Sequence, residues 1–307
     1  MRDKRLLADL ALAACTVIWG ATFVVIKDAL AGISVIAYLA IRFGLASILM
    51  AIIYWRSLRS VGMSTIWAGA QIGFFMFAGY MFQITGLRFT TPSKAAFVTG
   101  MFVVFVPFIL AIFVRRRIPG WIWAGAIAAL SGLYFLSVPP EGLGALDRGD
   151  PIVFGCAIMF ALHMIFISRN VEHHSVAALS SLQVMTTAVL SAALLPVAAA
   201  FGWEKPRIVW TGYLVFAILA TAVGATVICF SLQTWAQKHT STAHAAILLS
   251  LEPVFAAITS LLLGRERFTG RLILGGALIF GGILLAEWKG SAPAMPAAPE
   301  PIAPSTE

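Results

Sequence analysis

The stretch Ser93–Val114, SKAAFVTGMFVVFVPFILAIFV, decides how the rest of the chain is read. Apart from Lys94 it carries no charge. A bilayer core ~30 Å thick takes about 20 apolar residues per helical span, and this run is long enough. Nine further runs resemble it: Leu6–Ile26, Val35–Trp55, Thr65–Leu87, Trp121–Val138, Pro151–Ile167, Val176–Ala199, Val209–Ala236, Thr242–Leu263 and Arg271–Trp288. Lipid offers no partner to an unpaired backbone group, so such runs form helices. The alternating pattern of membrane β-strands is absent.

Composition points the same way. Of 307 residues, 60% are hydrophobic and 11% charged, against about 25% charged in a soluble domain. That excludes an ordinary soluble enzyme and predicts an all-α polytopic membrane protein with ten transmembrane helices. The net charge of +8 sits in short clusters between the apolar runs, which suits topology and headgroup contact. No basic–aromatic motif points to nucleic acid. Cys15, Cys156 and Cys229 all lie inside apolar runs, so neither a disulfide framework nor a C-x-x-C metal site is expected.

Both ends need separate readings. Arg2, Lys4 and Arg5 before Leu12-Ala13-Ala14-Cys15 mimic a lipoprotein signal peptide. The apolar run continues to Ile26, however, and Asp9 interrupts it, so a retained first helix is the better reading. Residues 289–307 are Ala/Pro-rich and read as a disordered cytoplasmic tail.

With the N-terminus inside, Arg2, Lys4, Arg5, Arg56, Arg59, Arg115, Arg116 and Arg117 fall on the cytoplasmic side, against Lys27, Arg88 and Lys94 outside. The second half reverses the balance, with Arg169, Lys238 and Lys289 inside and Arg148, Lys205, Arg207, Arg265, Arg267 and Arg271 outside. Early helices usually dominate orientation. The expectation is therefore a bacterial inner-membrane protein with both termini cytoplasmic.

The halves repeat. A shift of 150 residues pairs Gln83 with Gln233, Thr90 with Thr240, Ala95-Ala96 with Ala245-Ala246 and Val104-Phe105 with Val254-Phe255. It also pairs Arg115 with Arg265, Arg117 with Arg267, and Gly120, Gly125 and Gly132 with Gly270, Gly275 and Gly282. A shift of 141 pairs Asp9 with Asp150, Cys15 with Cys156 and Ser34 with Ser175. Each copy, 6–138 and 150–288, holds five helices, an odd number. The copies must then enter the membrane in opposite directions, an inverted repeat of the kind that encloses a midplane site in many transporters.

Ile18-Trp19-Gly20-Ala21-Thr22-Phe23, Ala40-Ile41-Arg42-Phe43, Leu251-Glu252-Pro253-Val254-Phe255 and Leu263-Gly264-Arg265-Glu266 resemble the signature stretches of the EamA family in the drug/metabolite transporter superfamily. The resemblance covers roughly residues 8–288. It implies secondary transport, often export of amino acids or related metabolites from bacteria, without fixing the substrate.

Ionisable groups within a span are costly and usually face an interior cavity. Arg42 lies about 10 Å below the surface at 1.5 Å per residue. It reads as an anchor for a substrate carboxylate, which a guanidinium matches bidentately, or as an Arg that snorkels or pins two helices. Glu252, directly before Pro253, stands where proline removes a helix hydrogen bond. It reads as a carrier of a proton or a partner for an amine, or as a structural Glu at a kink. Its repeat mate is Phe102, so any proton role belongs to one half.

Arg42 and Gln83 form one polar layer, Gln183 and Gln233 a second. These are either two vestibules of an alternating-access path or interhelical hydrogen bonds, worth about 0.6 kcal/mol on average in one measured case. Mid-helix His163 reads as a titrating group or a packing histidine. His173-His174 have no metal partner set, and His239 and His244 read as interfacial. Trp19, Phe23, Tyr80 and Trp235 are candidate cavity aromatics, able to hold an aromatic or cationic ligand. Trp55, Trp121, Trp123, Trp210 and Trp288 suit an interfacial belt.

Ala124/Ala128/Gly132 and Ala277/Gly281 mark tight helix contacts, either within the chain or across a homodimer. No phosphate loop, zincin motif, nucleophile elbow or dinucleotide fingerprint occurs, so neither an enzyme nor ATP-driven pumping is expected, and no cofactor or metal. The substrate-binding set is thus Trp19, Arg42, Tyr80, Gln83, His163, Gln183, Gln233 and Glu252, in a secondary transporter of a small metabolite, either driven by an ion gradient, with protons one candidate ion, or running downhill. A membrane-embedded enzyme on a lipid-linked substrate, or a transporter-like scaffold or sensor, are the competing readings.

Overall fold

The computed structural model describes residues 2–90, 92–115, 117–138, 148–264 and 269–288. The Ala/Pro-rich tail, Arg116, Arg265, Arg267 and Lys289 lie outside the described residues, as do the side chains of Lys94 and Trp288. In order, the helices are α1 (Arg2–Ala29), α2 (Val35–Ile53), α3 (Trp55–Leu58), α4 (Met63–Leu87), α5 (Pro92–Gly100), α6 (Phe102–Ile112) and α7 (Gly120–Ser137). They continue as α8 (Asp150–Asn170), α9 (Val176–Ala200), α10 (Gly212–Ala220), a π-helical segment Thr221–Ile228, α11 (Cys229–Gln237), α12 (Thr242–Leu249), α13 (Glu252–Leu262) and α14 (Gly270–Trp288). Among the described residues the only β pairing is an isolated bridge, Ile33 with Ile208.

Every apolar run of the sequence is helical, and eight helical stretches are long and apolar enough to cross a bilayer. The fifth and tenth runs form two shorter apolar helices, Gly120–Leu136 and Gly270–Ala286. Large apolar side chains such as Ile52, Phe113, Val189 and Leu262 stand exposed on the outside. A surface of that kind is stable in lipid and not in water. The chain is a multi-pass membrane protein.

Two runs are broken helices. The ninth stops at Leu249 and restarts at Glu252, where Pro253 has no N–H to give. The tight turn is closed by Leu251 N–H donating to Leu248 O at 3.1 Å and Val254 N–H to Leu251 O at 3.0 Å. The fourth run breaks 150 residues earlier with the same bonds, Met101 N–H to Val98 O at 3.2 Å and Val104 N–H to Met101 O at 3.0 Å. Val103 stands there in place of proline. The break is a property of that place in the fold, and proline only reinforces it.

α7 and α14 pack backbone against backbone through glycines. A Cβ added at Gly125 would come 2.7 Å from Gly282 O, and one at Gly275 would come 2.7 Å from Gly132 O. Residue numbers rise on one helix as they fall on the other, so the helices are antiparallel. Arg271 at the start of α14 accordingly donates to Val138 O at the end of α7, at 2.9 Å. The seam lies within the chain. Gly281 has nothing within 4 Å of an added Cβ, so the seam runs through Gly275 and Gly282 in place of the expected Ala277/Gly281. A seven-residue spacing, two helical turns, keeps both glycines on one face.

Two apolar cores flank the interior. One gathers residues of α1, α6, α7, α8, α11, α12 and α14 around Leu12, Val106 and Ile247. The other gathers α1, α2, α4, α9, α10 and the π segment around Tyr38, Phe43 and Met76. Trp19 packs against both, which places it at the boundary where the polar interior opens.

Candidate functional site

Trp19, Arg42, Tyr80, Gln83, His163, Gln233 and Glu252 line one cavity of about 60 Å³. That is well above the ~10–15 Å³ a cavity needs to hold one water. Sequence neighbours position these groups. Gly20 lets α1 touch the start of α13: a Cβ there would meet Glu252 O at 2.6 Å and Ala256 N at 2.7 Å. That contact sets Trp19 and Glu252 into the same wall. α4 and α11 both pack on α8, which gathers Gln83, His163 and Gln233 round one space. Arg42, Gln83 and Gln233 therefore share a single cavity, and the reading of two separate polar layers gives way.

Arg42 is 1% exposed. Its Nε donates to Thr226 Oγ1 at 3.0 Å and its Nη2 to Tyr80 OH at 3.4 Å. The guanidinium carbon lies 4.9 Å from the Tyr80 ring centre and 5.1 Å from that of Phe43. Nη1 is buried without a partner, and no carboxylate pairs with the guanidinium among the described residues. A buried cation left so is expensive unless something anionic meets it. The π-helical segment holds the arginine in place: Thr226 in turn donates to Thr221 O at 2.9 Å, Tyr38 OH donates to Thr221 Oγ1 at 2.9 Å, and Trp19 Nε1 donates to Ala225 O at 2.8 Å. Widened turns of this kind often sit at functional sites because they free carbonyls.

Glu252 begins α13, and its carboxyl group has neither a hydrogen bond nor an ion pair among the described residues. Gln233 Oε1 is likewise buried without a donor. Gln183, expected in the binding set, does not line the cavity. It lies behind the wall, its Oε1 2.8 Å from His163 Nε2 and its Nε2 donating to Thr234 Oγ1 at 2.9 Å. Of the four candidate aromatics, Trp19, Phe23 and Tyr80 line the cavity, while Trp235 packs in the core and stacks edge-on with His239 at 5.0 Å. His244 is not interfacial: it is fully buried, 3.2 Å from Asp9 Oδ1.

Phe160, Phe230 and Thr226 were missed. The repeat offsets carry a signal for the first two. A shift of 141 pairs Trp19 with Phe160, Thr22 with His163 and Phe23 with Met164. A shift of 150 pairs Tyr80 with Phe230, Gln83 with Gln233 and Phe102 with Glu252. Both members of every one of these pairs line the cavity. Thr226 left no such signal, because a threonine in an apolar run is unremarkable until its hydroxyl is seen on Arg42.

Helices of bilayer length closed around a small, partly polar interior cavity define a class, the multi-pass membrane proteins with an internal cavity. The chain belongs to the EamA-like transporter family, whose model matches residues 6–138 and again 147–288. An uncharacterized transporter from Archaeoglobus fulgidus is 33% identical over 286 residues, spanning 93% of this chain and 87% of that one. A solved crystal structure superposes with a TM-score of 0.75 over 92% of this chain and 97% of the other, at 19% identity. At that identity the likeness concerns the fold alone.

Proposed function

We propose that the chain is a secondary transporter of small metabolites carrying a carboxylate, amino acids foremost, and that it exports them across a bacterial inner membrane. One observation carries this reading: Arg42 lines the cavity with no carboxylate paired to its guanidinium among the described residues, so a solute carboxylate supplies the missing countercharge. Glu252, unpaired in the same wall, then receives the solute amine or carries the coupling proton. Trp19 and Tyr80 bound the solute with their rings, and Gln83 and Gln233 offer amides from the two halves.

The antiparallel α7–α14 pair, the equal breaks at Met101 and Leu251, and the double family match support a ten-span chain of two inverted five-helix repeats. An odd number of spans in each repeat gives both termini the same side, the cytoplasm. Alternating access follows if the halves rock about the shared cavity.

The test is counterflow of a labelled amino-acid panel in proteoliposomes, repeated with Glu252→Gln. Exchange of one amino-acid class supports the reading, and its loss in the variant puts Glu252 in the mechanism. No exchange by demonstrably folded protein removes amino acids as substrates.

A further inference from the structure

We infer that His163 chooses the solute as a hydrogen-bond acceptor: Gln183 and Thr234 hold its ring as the Nε2–H tautomer, which leaves Nδ1 to receive an N–H or O–H of the bound molecule. The orientation follows from a chain of hydrogen bonds read from its far end. Thr234 has one hydroxyl proton and gives it to Phe230 O at 2.7 Å. Its oxygen can then only accept from Gln183, so the amide nitrogen of Gln183 faces Thr234, at 2.9 Å. The amide oxygen must face His163, at 2.8 Å, and an oxygen there requires a proton on Nε2. A reversed amide would set two acceptors against each other at Thr234, whose one proton is already given to Phe230 O.

The ring is hemmed in as well. Phe160 and Phe230 meet it edge-on, with centres 6.4 and 5.8 Å away. The ion pairs among the described residues join Arg88 to Glu204 and His244 to Asp9, and none involves His163, so no carboxylate is paired with the ring. Among the described residues Nδ1 has no partner, and it is not among the buried atoms closed off from space, while His163 lines the cavity. In the neutral ring that nitrogen is a bare acceptor.

The mate of His163 is Thr22, whose hydroxyl donates to Trp19 O at 2.9 Å, so the imidazole acceptor exists in one half only. The mate of Gln183 is Arg42. One half uses this position to hold a cation in the cavity wall, the other to hold a histidine tautomer from behind. A solute with a carboxylate at Arg42 and a donor at His163 therefore has a single orientation. The choice of solute rests on the transport reading above; the tautomer does not.

The test uses full-length protein in nanodiscs, labelled with ¹⁵N-histidine and ¹⁵N-arginine and observed by NMR, with His163→Phe and Arg42→Met assigning the two signals of interest. The expected pattern is a protonated Nε2 and an unprotonated Nδ1 at His163, giving way to mixed tautomers in Gln183→Leu. A protonated Nδ1 in the unmodified protein, or an unchanged tautomer in Gln183→Leu, overturns the inference. Lactate and propionate are then titrated in; they share a carboxylate and a size and differ in one O–H. Lactate is expected to shift Nδ1 and to bind on the order of 10-fold more tightly, a preference lost in His163→Phe. If both acids move the Arg42 signals equally and neither moves Nδ1, selection by His163 fails and the carboxylate site stands. If neither acid moves Arg42, the carboxylate reading falls and takes the selection by His163 with it.

Discussion

The α7–α14 seam and the cavity are both built from repeat mates, and they treat them oppositely. At the seam the mates are identical: Gly125 with Gly275, Gly132 with Gly282, each glycine set against a carbonyl of the other helix. In the cavity the mates diverge wherever a charge or an imidazole stands, as Arg42 against Gln183, Glu252 against Phe102 and His163 against Thr22. Only Gln83 and Gln233 keep a polar pair alike across the cavity. Packing across a two-fold relation asks the same thing of both partners, so the duplicated residue survives. A dipolar solute has two different ends, and a symmetric lining could not tell them apart. Identity between mates thus marks where the halves hold each other; on the proposed function, difference marks where they hold a solute.

The largest effect expected is at the seam. Gly132→Leu should abolish folded, monodisperse protein, because a Cβ at Gly132 already comes 2.5 Å from the Gly275 carbonyl oxygen. Gly132→Ala should lower stability by roughly 1–3 kcal/mol, the usual range for overpacking. Gly281→Ala, with open space around it, should be neutral or slightly stabilising, since alanine is the better helix former. Thermal unfolding in detergent compares the three. Equal effects at positions 132 and 281 would break the distinction between the seam and the lipid-facing side.

Next in size is the unequal pair of mates. Arg42→Met should reduce counterflow of a carboxylate solute by about 100-fold, and Arg42→Lys should not restore it, because a point charge does not reproduce the bidentate fork. Gln183→Leu, acting from behind the wall, should cost less than Arg42→Met in the same assay. The reverse order would mean that the second half, not the first, carries the anion. Thr226→Val is expected to be smaller again. It removes the hydroxyl that receives Arg42 Nε, and hydrogen bonds to charged groups are worth roughly 1.5–3 kcal/mol. The expected result is a solute KM raised by on the order of 10-fold with a maximal rate much less changed. A fall in rate at constant KM would assign Thr226 to the movement of the π segment instead.

The smallest effect lies at the edge of the bilayer. His174, in the loop between α8 and α9, meets Thr65 Oγ1 at 2.9 Å. Burial first, and the neighbouring His173 second, hold its pKa below the ordinary 6.5. The unfolded chain therefore binds that proton more readily, so the contribution is full above about pH 6.5 and is lost as pH falls below it. Unfolding measured at pH 7.5 and 5.5 should show a shallow loss of stability that His174→Gln flattens.

Much of this was legible in the residues. The ten helical runs followed from apolar length, because lipid admits few alternatives to a helix. The break at Leu251 followed from Pro253, whereas the break at Met101 did not, since Val103 carries no such mark. Arg42 and Glu252 stood out because ionisable groups are rare within a span. Phe160 and Phe230 could have been found by carrying the offsets of 141 and 150 through the aromatic positions. The direction in which Gln183 turns could not. An amide on a helix has a face but no partner until another helix is laid against it, and here that partner is Thr234, 51 residues further on.

By itself the sequence determined the membrane class, the helical runs and the few polar groups worth following, because each of these is set by local composition. Only the tertiary structure decided which of those groups share a cavity, that the glycine seam is internal, and that Gln183 serves His163 from behind the wall. Burial and hydrogen bonding depend on which helices meet, and that is a property of the packed molecule.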